Sequence, residues 1–171
     1  MEYMLPLTPH AAHTTWIDNQ RAHQREHGFC FWAMENRADG TFVGTVGLGR
    51  VEYDAHFAPT VQIGWRVARP FWGRGYAPEA AAACLRFGFE TLQLPEIVAN
   101  TAPDNHRSRR VMEKLGMVRD LRDDFDHPRI PSGHPLRRQV LYRLTREDWL
   151  GQDRDPARQF DCENPDNMMK L

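Results

Sequence analysis

Apolar residues recur at every third or fourth position in three stretches of this chain of 171 residues. The spacing predicts amphipathic helices at 9–27, 78–92 and 105–115. Thr8 followed by Pro9 is a typical helix start, and Gly28 and Gly116 are typical stops for the first and third helices. We therefore expect three helices, each packing one apolar face against the rest of the fold.

A second pattern, in which apolar and polar residues alternate, predicts strands at 29–34, 41–53, 61–67, 96–101, 117–123 and 138–145. The turn-rich segment 36–40 joins the first two strands in a hairpin, and the third strand is expected to pair antiparallel with the second. Glycines at 44, 47 and 49 predict bulges in the second strand. Residues 124–135 are predicted to form a loop.

The order of these elements predicts an α+β fold, a mixed sheet with helices on both faces. It begins with an antiparallel meander of three strands. The third of them, a glycine-rich loop, a helix and strand 96–101 then form a βαβ unit with a parallel pair. A second antiparallel pair completes the sheet. We expect one domain at 1–150 and a polar, frayed tail at 151–171.

Composition and charge narrow the class of protein. The 22 basic and 23 acidic residues leave a formal charge of -1, so no overall field attracts nucleic acid or an anionic membrane. The three cysteines, Cys30, Cys84 and Cys162, lack the spacing of a disulfide framework or a zinc knuckle. No apolar run reaches ~18 residues and no signal-peptide pattern is present, so we expect a soluble, cytoplasmic protein.

Four histidines fall on the first predicted helix, at His10, His13, His23 and His27. Spacings of three or four residues would suit a metal ion, but no carboxylate motif such as His-Glu-x-x-His accompanies them. We interpret them as a solvated helix face and expect no metal site.

The clearest chemical signal is residues 69–77, which read R-P-F-W-G-R-G-Y-A and are called the glycine loop below. Gly73 and Gly75 have no side chain to keep a ligand from the backbone N–H groups, and the helix that follows adds a partial positive charge. Arg69 and Arg74 can add charge-assisted contacts, so a pyrophosphate suits this loop. A Gly-Lys-Ser/Thr sequence and a third glycine are both missing, which argues against a Walker loop and a dinucleotide site. A tight structural turn is the alternative.

Two signatures in this chain resemble those of the GNAT superfamily of N-acetyltransferases. Trp72-x-x-Gly75-x-Ala77 resembles the family's Gln/Arg-x-x-Gly-x-Gly/Ala, in the form typical of the ribosomal-protein N-terminal acetyltransferase-like (RimJ/RimL type) branch. The second signature of that branch, Asn-x-x-Ser-x-x-x-x-Glu-Lys-x-Gly, is matched by Asn105, Ser108, Glu113, Lys114 and Gly116. The resemblance implies the acyl-CoA N-acyltransferase fold, in which two central parallel strands splay apart.

The resemblance also implies where acyl-CoA binds. The backbone of Trp65 and Val67 would pair with the pantetheine arm, and the Val67 N–H would polarise the thioester carbonyl. Asn105 would hold the arm and Ser108 would protonate the leaving thiolate, unless Ser108 is a helix-capping serine. The cofactor-binding loop residues would be Arg69, Trp72, Gly73, Arg74, Gly75, Tyr76 and Ala77. Acetyl-CoA is the expected donor, with succinyl-CoA or another acyl-CoA as the alternative.

A base for the acceptor amine is less well marked. Some relatives use a strand glutamate as the base, and some have a helix tyrosine as the acid, at positions that hold Gln62 and Met112 here. Asp126 and His127 are candidates, because a carboxylate beside an imidazole can tune a pKa into the working range. The alternatives are that these two residues only shape a turn, or that Glu52 is the base.

The implied function is transfer of an acyl group, most simply acetyl, from CoA to a primary amine of a protein N-terminus or a small molecule. A non-catalytic acyl-CoA-binding or regulatory domain is the alternative. The family's first strand and first helix have no counterpart ahead of the matched region. Without them the strand at 29–34 is expected to lie at a sheet edge, so a monomer and a homodimer are both kept as expectations.

Overall fold

The computed structural model describes residue 3 and residues 10–152, which form a mixed sheet with helices on both faces. The helices are α1 (His10–His27), α2 (Tyr76–Arg86), α3 (His106–Lys114) and α4 (Arg146–Gly151). The strands are β1 (Phe31–Glu35), β2 (Phe42–Arg50), β3 (Val61–Val67), β4 (Glu96–Thr101), β5 (Val118–Arg119), β6 (Phe125–Asp126) and β7 (Arg138–Thr145). No helix within the described residues is long and apolar enough to cross a membrane.

The sheet has the order β1-β2-β3-β4-β7-β5, with β6 paired to β7. β1, β2 and β3 form an antiparallel meander, and β3 and β4 are parallel partners connected through α2. β7 pairs antiparallel with β4 on one side and β5 on the other. The order confirms the predicted α+β class, the meander, the βαβ unit and the final antiparallel pair.

Helices α1 and α2 cover opposite faces of the sheet. Phe31 of β1 contacts Trp16 of α1, with ring centroids 6.5 Å apart. Its neighbour Trp32 contacts Phe87, directly after α2, at 5.8 Å. Successive side chains of a strand point to opposite faces, so each helix packs on its own side. On the α2 side the fully buried core includes Leu48, Leu85, Phe89 and Ile97.

The two central strands, β3 and β4, diverge within the sheet. Over their described lengths they pair only at Val61 with Ile97 and at Gln62 with Val98, although both strands continue for several residues. β4 meanwhile stays paired with β7 from Glu96 to Thr101. The opening lies between β3 and β4, which confirms the expected splay of the central strands.

The glycines of β2 have two different roles. The register between β1 and β2 shifts at the last residues of β1, where Met34 faces Gly44 but Glu35 faces Phe42. The bulge predicted at Gly44 is therefore confirmed. The bulges predicted at Gly47 and Gly49 are wrong, because both residues keep regular register. A Cβ at Gly47 would lie 2.0 Å from the Cys30 carbonyl oxygen and one at Gly49 3.0 Å from the Phe31 ring, so these glycines permit close approach.

The region between α3 and β7 differs most from the prediction. The strand expected at 117–123 is wrong beyond Arg119, since Asp120 accepts a hydrogen bond from the Arg122 N–H at 2.9 Å and starts a 3-10 turn, Leu121–Asp123. The predicted loop at 124–135 contains β6, in which Phe125 pairs with Gln139. Local pattern did not reveal this pairing because its partner lies far along the chain.

The helices begin and end close to the predicted positions. α2 starts at Tyr76, two residues early, and its predicted last turn is a π turn, Phe87–Thr91, in which Leu92 N–H bonds the Phe87 carbonyl. α4, capped by Thr145, ends at Gly151, the first residue of the predicted tail. The predicted cap at Thr8 and the rest of the tail, from residue 153, lie outside the described residues.

Candidate active site

A cleft of about 440 Å³ opens where β3 and β4 diverge. One wall is β3 from Gln62 to Arg66, with Phe31 beside it. The opposite wall is built by the end of β4, the start of α3 and the segment that leads into β7, through Asn100, Thr101, Asn105, Ser108, Met112, His127, Arg129, Ile130, Leu136 and Gln139. Long-range strand pairing therefore brings residues from both halves of the chain to one cavity.

The backbone of β3 turns unpaired groups toward the opening. The Ala68 N–H bonds the Val43 carbonyl at 2.8 Å, so Ala68 faces the meander. Peptide groups of a strand alternate in direction, which turns the Trp65 and Val67 N–H groups to the β4 side, where β4 has moved away. The strand edge there offers its hydrogen bonds to a ligand.

The glycine loop is open at the end that faces α2. Gly73 and Gly75 have φ of +77° and +88°, and a Cβ built at either one meets no atom within 4 Å. Pro78 has no N–H and the Glu79 N–H bonds the Gly75 carbonyl at 3.2 Å. The N–H groups of Tyr76 and Ala77 are therefore left for an anion at the helix N-terminus.

Trp72 connects the glycine loop to two other parts of the site. Its indole Nε1 donates to the Val67 carbonyl at 2.7 Å, which fixes the end of β3. The Arg107 guanidinium of α3 lies 4.4 Å from the centre of the indole ring, in a cation–π contact. The sequence predicted Trp72 as a cofactor-binding residue of the glycine loop but did not predict its contact with Arg107, because the two residues lie on different elements.

Asn105 and Ser108 are joined at the start of α3. The Asn105 Oδ1 accepts from the Ser108 N–H at 3.3 Å, so the helix cap is Asn105 and Ser108 is not the capping residue. The Asn105 Nδ2 donates to the Thr101 Oγ1 at 2.9 Å and to the Ser108 Oγ at 3.0 Å. With its oxygen accepting from Asn105, the Ser108 hydroxyl has its own hydrogen to donate into the cleft.

Gln62 and Met112 both line the cleft, so the two positions that hold a glutamate and a tyrosine in some relatives face the site here. An amide does not take a proton at neutral pH, and a thioether does not donate one. Any acid or base must come from other side chains.

The three predicted base candidates do not all face the cleft. The Asp126 carboxylate pairs with Arg137 at 3.3 Å and Arg138 at 3.4 Å, and its side chain is 52% exposed. Glu52 is exposed too, and its backbone carbonyl accepts from Arg129. Of these candidates, only His127 lines the cleft in the described part of the chain.

His127 is held by its neighbours. Its Nδ1 accepts from the Arg129 N–H at 3.2 Å, so the hydrogen of the neutral ring lies on Nε2. Burial, together with the charge of Arg129, lowers the pKa of His127. The ring lies against Tyr53, with centroids 4.4 Å apart, and burial raises the pKa of Tyr53 to about 12. At neutral pH both side chains therefore keep their neutral, hydrogen-donating forms.

The interpretation of the α1 histidines as a solvated face is wrong for His23 and His27, which are partly buried. His23 Nδ1 donates to the Phe29 carbonyl at 2.6 Å, and its Nε2 accepts from the Arg50 N–H at 3.3 Å. These bonds attach α1 to the ends of two strands. Among the described residues no group of three or more His, Cys, Asp or Glu side chains is placed to hold a metal ion.

Comparison with known proteins identifies the family. The model described as Acetyltransferase (GNAT) domain matches residues 1–118. This chain belongs to the GNAT acetyltransferase family. The resemblance inferred from the glycine loop and from the Asn105 signature is thereby confirmed.

Relatives of this GNAT protein include the uncharacterized protein YkkB of Bacillus subtilis, 36% identical over 102 residues, which are 60% of this chain and 58% of YkkB. FsC-acetyl coenzyme A-N(2)-transacetylase of Aspergillus fumigatus is 37% identical over 129 residues, 72% of this chain and 53% of that enzyme. The chain thus spans little more than half the length of these relatives. Mycobacterium smegmatis RimJ, solved in complex with CoA-disulfide, shares the fold with a TM-score of 0.68 at 24% identity, over 85% of this chain and 69% of RimJ.

The residues of this GNAT domain fit an acyl-CoA molecule. A Cβ at Gly73 or Gly75 would meet no described atom within 4 Å, so the loop before α2 has room for a ligand. The unpaired edge of β3 continues from there to the cleft, which suits an extended arm that carries amide groups.

Proposed function

We propose that this protein transfers an acyl group, most simply acetyl, from acyl-CoA to a primary amine by direct attack. The observation that carries the proposal is the divergence of β3 and β4 beside the open glycine loop, with Asn105 and Ser108 on the same cleft. Relatives named N-acetyltransferase and transacetylase support it. The acceptor is a protein N-terminus or a small molecule that bears an amine.

Donor binding follows from groups that face the opening. The pyrophosphate lies on the Tyr76 and Ala77 N–H groups, with Arg69 and Arg74 within the same exposed loop. The pantetheine amides pair with Trp65 and the end of β3. Acyl-CoA supplies an activated thioester carbonyl, and the Val67 N–H donates to the oxygen on which negative charge develops.

Ser108 is the proposed acid for the leaving group. The amine nitrogen bonds to the carbonyl carbon, the carbon–sulfur bond breaks, and the thiolate accepts the Ser108 hydrogen. The nitrogen then releases its extra proton to solvent, and the Ser108 oxygen takes a proton from solvent, so the serine is restored and one proton has moved overall from nitrogen to sulfur. Asn105 orients this step because its Nδ2 occupies a lone pair of the Ser108 oxygen, which leaves the hydroxyl hydrogen as the donor.

The amine must attack in its neutral form. No carboxylate is among the described residues that line the cleft, and the hydrogen on the Nε2 of His127 makes this ring a donor. We propose that the amine binds after losing its ammonium proton to water and that His127 donates a hydrogen bond to the acceptor. Positioning supplies the rate enhancement here, with no covalent enzyme intermediate.

The test combines binding with turnover. Acetyl-CoA affinity is measured by calorimetry, and CoA thiol release is followed over a panel of free amino acids, alkylamines and peptides with free N-termini. Succinyl-CoA serves as the second donor. Acetyl-CoA binding with CoA release for at least one amine is the expected result.

The alternative, a non-catalytic acyl-CoA-binding domain, predicts a different outcome of the same experiment. Acetyl-CoA would bind, and CoA release would stay at the hydrolytic background with every amine. If neither acyl-CoA binds, both the enzyme and the binding module are excluded.

A further inference from the structure

The described lining of the cleft carries a net positive charge. Its described lining includes two guanidinium groups, Arg66 and Arg129, and contains neither Asp nor Glu. His127 also lines the cleft and adds an N–H donor. A positive cavity of this kind disfavours a cationic occupant and favours an anion.

Arg66 is a half-buried charge on the β3 wall. Its guanidinium carbon lies 5.6 Å from the centre of the Trp16 ring of α1. Among the described residues no carboxylate forms an ion pair with it. Burial lowers the pKa of Arg66, as expected for a guanidinium that loses water without gaining an anion.

Arg129 faces the cleft from the opposite wall. Its guanidinium lies 5.7 Å from the centre of the Tyr53 ring and donates to the backbone carbonyl of Glu52 at 3.3 Å. The carboxylate nearest in sequence, Asp126, is taken by Arg137 and Arg138. Arg129 therefore keeps its full charge toward the cavity.

Some arginines of the fold differ in this respect, although Arg107, Arg109 and Arg146 also have only aromatic, hydroxyl or backbone partners in what the structure describes. Carboxylate partners are present for Arg119, Arg122, Arg137, Arg138 and Arg143. The two arginines that line the cleft have aromatic and backbone partners instead. Arg66 is half-buried, so its charge is costly without a described counter-ion, and a ligand anion that pairs with it recovers that cost on binding, whereas Arg129 is exposed and adds charge at the same cleft.

We infer that the acceptor carries an anionic group, of which a carboxylate is the simplest, close to its reactive amine, and that Arg66 and Arg129 select it. The inference rests on the proposed acyl transfer. Peptide N-termini followed by an acidic residue and small amino acids share this chemistry. Polyamines and lysine-rich N-termini are the acceptors that the cleft rejects.

The test uses acceptors matched in amine basicity and size. Three amidated dipeptides with free N-termini, Ala-Asp, Ala-Asn and Ala-Lys, represent peptides, while 4-aminobutanoate and butylamine represent small molecules. Equilibrium binding to the full chain saturated with CoA is measured first, and acetyl transfer second. Ala-Asp and 4-aminobutanoate are expected to bind on the order of tenfold more tightly than Ala-Asn and butylamine, which lack the anionic group, as for a charge-assisted hydrogen bond.

Three variants test whether the two arginines cause the preference for an anionic acceptor. Arg129→Gln and Arg66→Gln should each remove most of the preference for the anionic acceptor and leave acetyl-CoA affinity unchanged. Arg129→Glu should make Ala-Lys the better ligand. Arg37→Gln is the matched control, since Arg37 lies in the exposed β1–β2 turn and its loss should change neither binding order nor transfer.

The outcomes separate this inference from the proposed function. Binding that is equal for the three dipeptides, or tightest for Ala-Lys, overturns the acceptor class even if acetyl transfer occurs. A loss of acetyl-CoA affinity in both glutamine variants also overturns it, because the charges would then serve the donor. Selective binding of the anionic acceptors without acetyl transfer supports the acceptor class and overturns the enzyme.

Discussion

At the scale of single residues, substitutions at Gly75 and at Gly40 can be compared to separate the effect of backbone strain from the effect of ligand contact. Gly75 and Gly40 have φ of +88° and +69°, and a Cβ at either meets no atom within 4 Å. Only Gly75 precedes a helix, while Gly40 lies in the β1–β2 turn. The two glycines therefore carry a similar conformational cost for a side chain in different surroundings.

We predict that Gly75→Glu lowers acetyl-CoA affinity by roughly 100-fold, because the side chain enters the open loop and its charge repels a pyrophosphate. Gly40→Glu should bind acetyl-CoA as the parent does, with a similar loss of thermal stability. Titration calorimetry on both variants gives the comparison. Equal affinities would remove the glycine loop from the donor site.

The pH dependence of acyl transfer is also determined by individual titratable groups. With no carboxylate in the described lining, and with His127 held as a donor of lowered pKa, the acceptor itself must lose the ammonium proton. We predict that kcat/KM for the acceptor rises about tenfold per pH unit up to the pKa of the amine and shifts with that pKa across a series of amines. His127→Gln should lower the rate and keep this slope. A plateau well below the pKa of the amine would instead reveal an enzyme base.

Part of the site could be predicted because its residues are adjacent in sequence. Gly73, Gly75, Asn105 and Ser108 belong to short signatures, and their local geometry follows from a loop before a helix and from a helix cap. Arg66 and its partner Trp16 lie on different elements, so no spacing links them.

At the scale of elements, an ion-pair network connects β4, β7 and the 3-10 turn Leu121–Asp123. Arg143 bonds Asp123 at 2.6 Å and Glu96 at 2.8 Å, and His56 lies 3.3 Å from Asp123. These side chains are partly shielded from water, so the pairs are screened less than surface pairs. The network holds the segment that carries β6 and His127 against the sheet.

We predict that Asp123→Asn lowers the free energy of unfolding at pH 7 by about 1–2 kcal/mol. Arg143 lowers the pKa of Asp123 below its ordinary value of 3.8, so this stabilisation is complete above that value and is lost as the pH falls through the folded-state pKa. Urea unfolding at pH 7 and pH 3 measures it, and the difference between parent and variant should shrink at pH 3. Asp18→Asn, in an exposed pair with Arg21, is the control and should change little. A difference that grows at pH 3 contradicts the assignment.

Elements with strong periodic patterns could be predicted, whereas those that depend on distant partners could not. β3, β4 and β7 begin and end at the predicted residues. β6 is two residues long and forms because Gln139 and Arg138 lie opposite it. A strand that short has no period of its own, so its pairing determines it.

At the scale of the whole molecule, the sheet consists of a meander, β1 to β3, and a second part, β4 to β7, which share a short parallel contact. A ligand in the opening contacts both parts at once. Ligand binding to the folded state stabilises it by mass action, about 2.7 kcal/mol at a hundredfold excess over Kd.

We predict that acetyl-CoA at this excess raises Tm by roughly 5–10 °C and slows hydrogen exchange at Trp65 and Val67. Gly75→Glu is the control, in which both effects should disappear. Thermal unfolding and amide exchange with and without acetyl-CoA provide the measurement. Protection confined to α3, with none on β3, would contradict donor binding along the open strand.

The unpaired edge of β3 has a consequence for how this protein can change over evolutionary time. Hydrogen bonds from a strand edge come from the backbone, which every amino acid supplies, so single substitutions along β3 leave this part of the recognition in place. In the proposed acyl transfer, selection of the acceptor depends on individual side chains such as Arg66 and Arg129. Substitutions there can redirect the protein to other amines while it retains the same acyl donor.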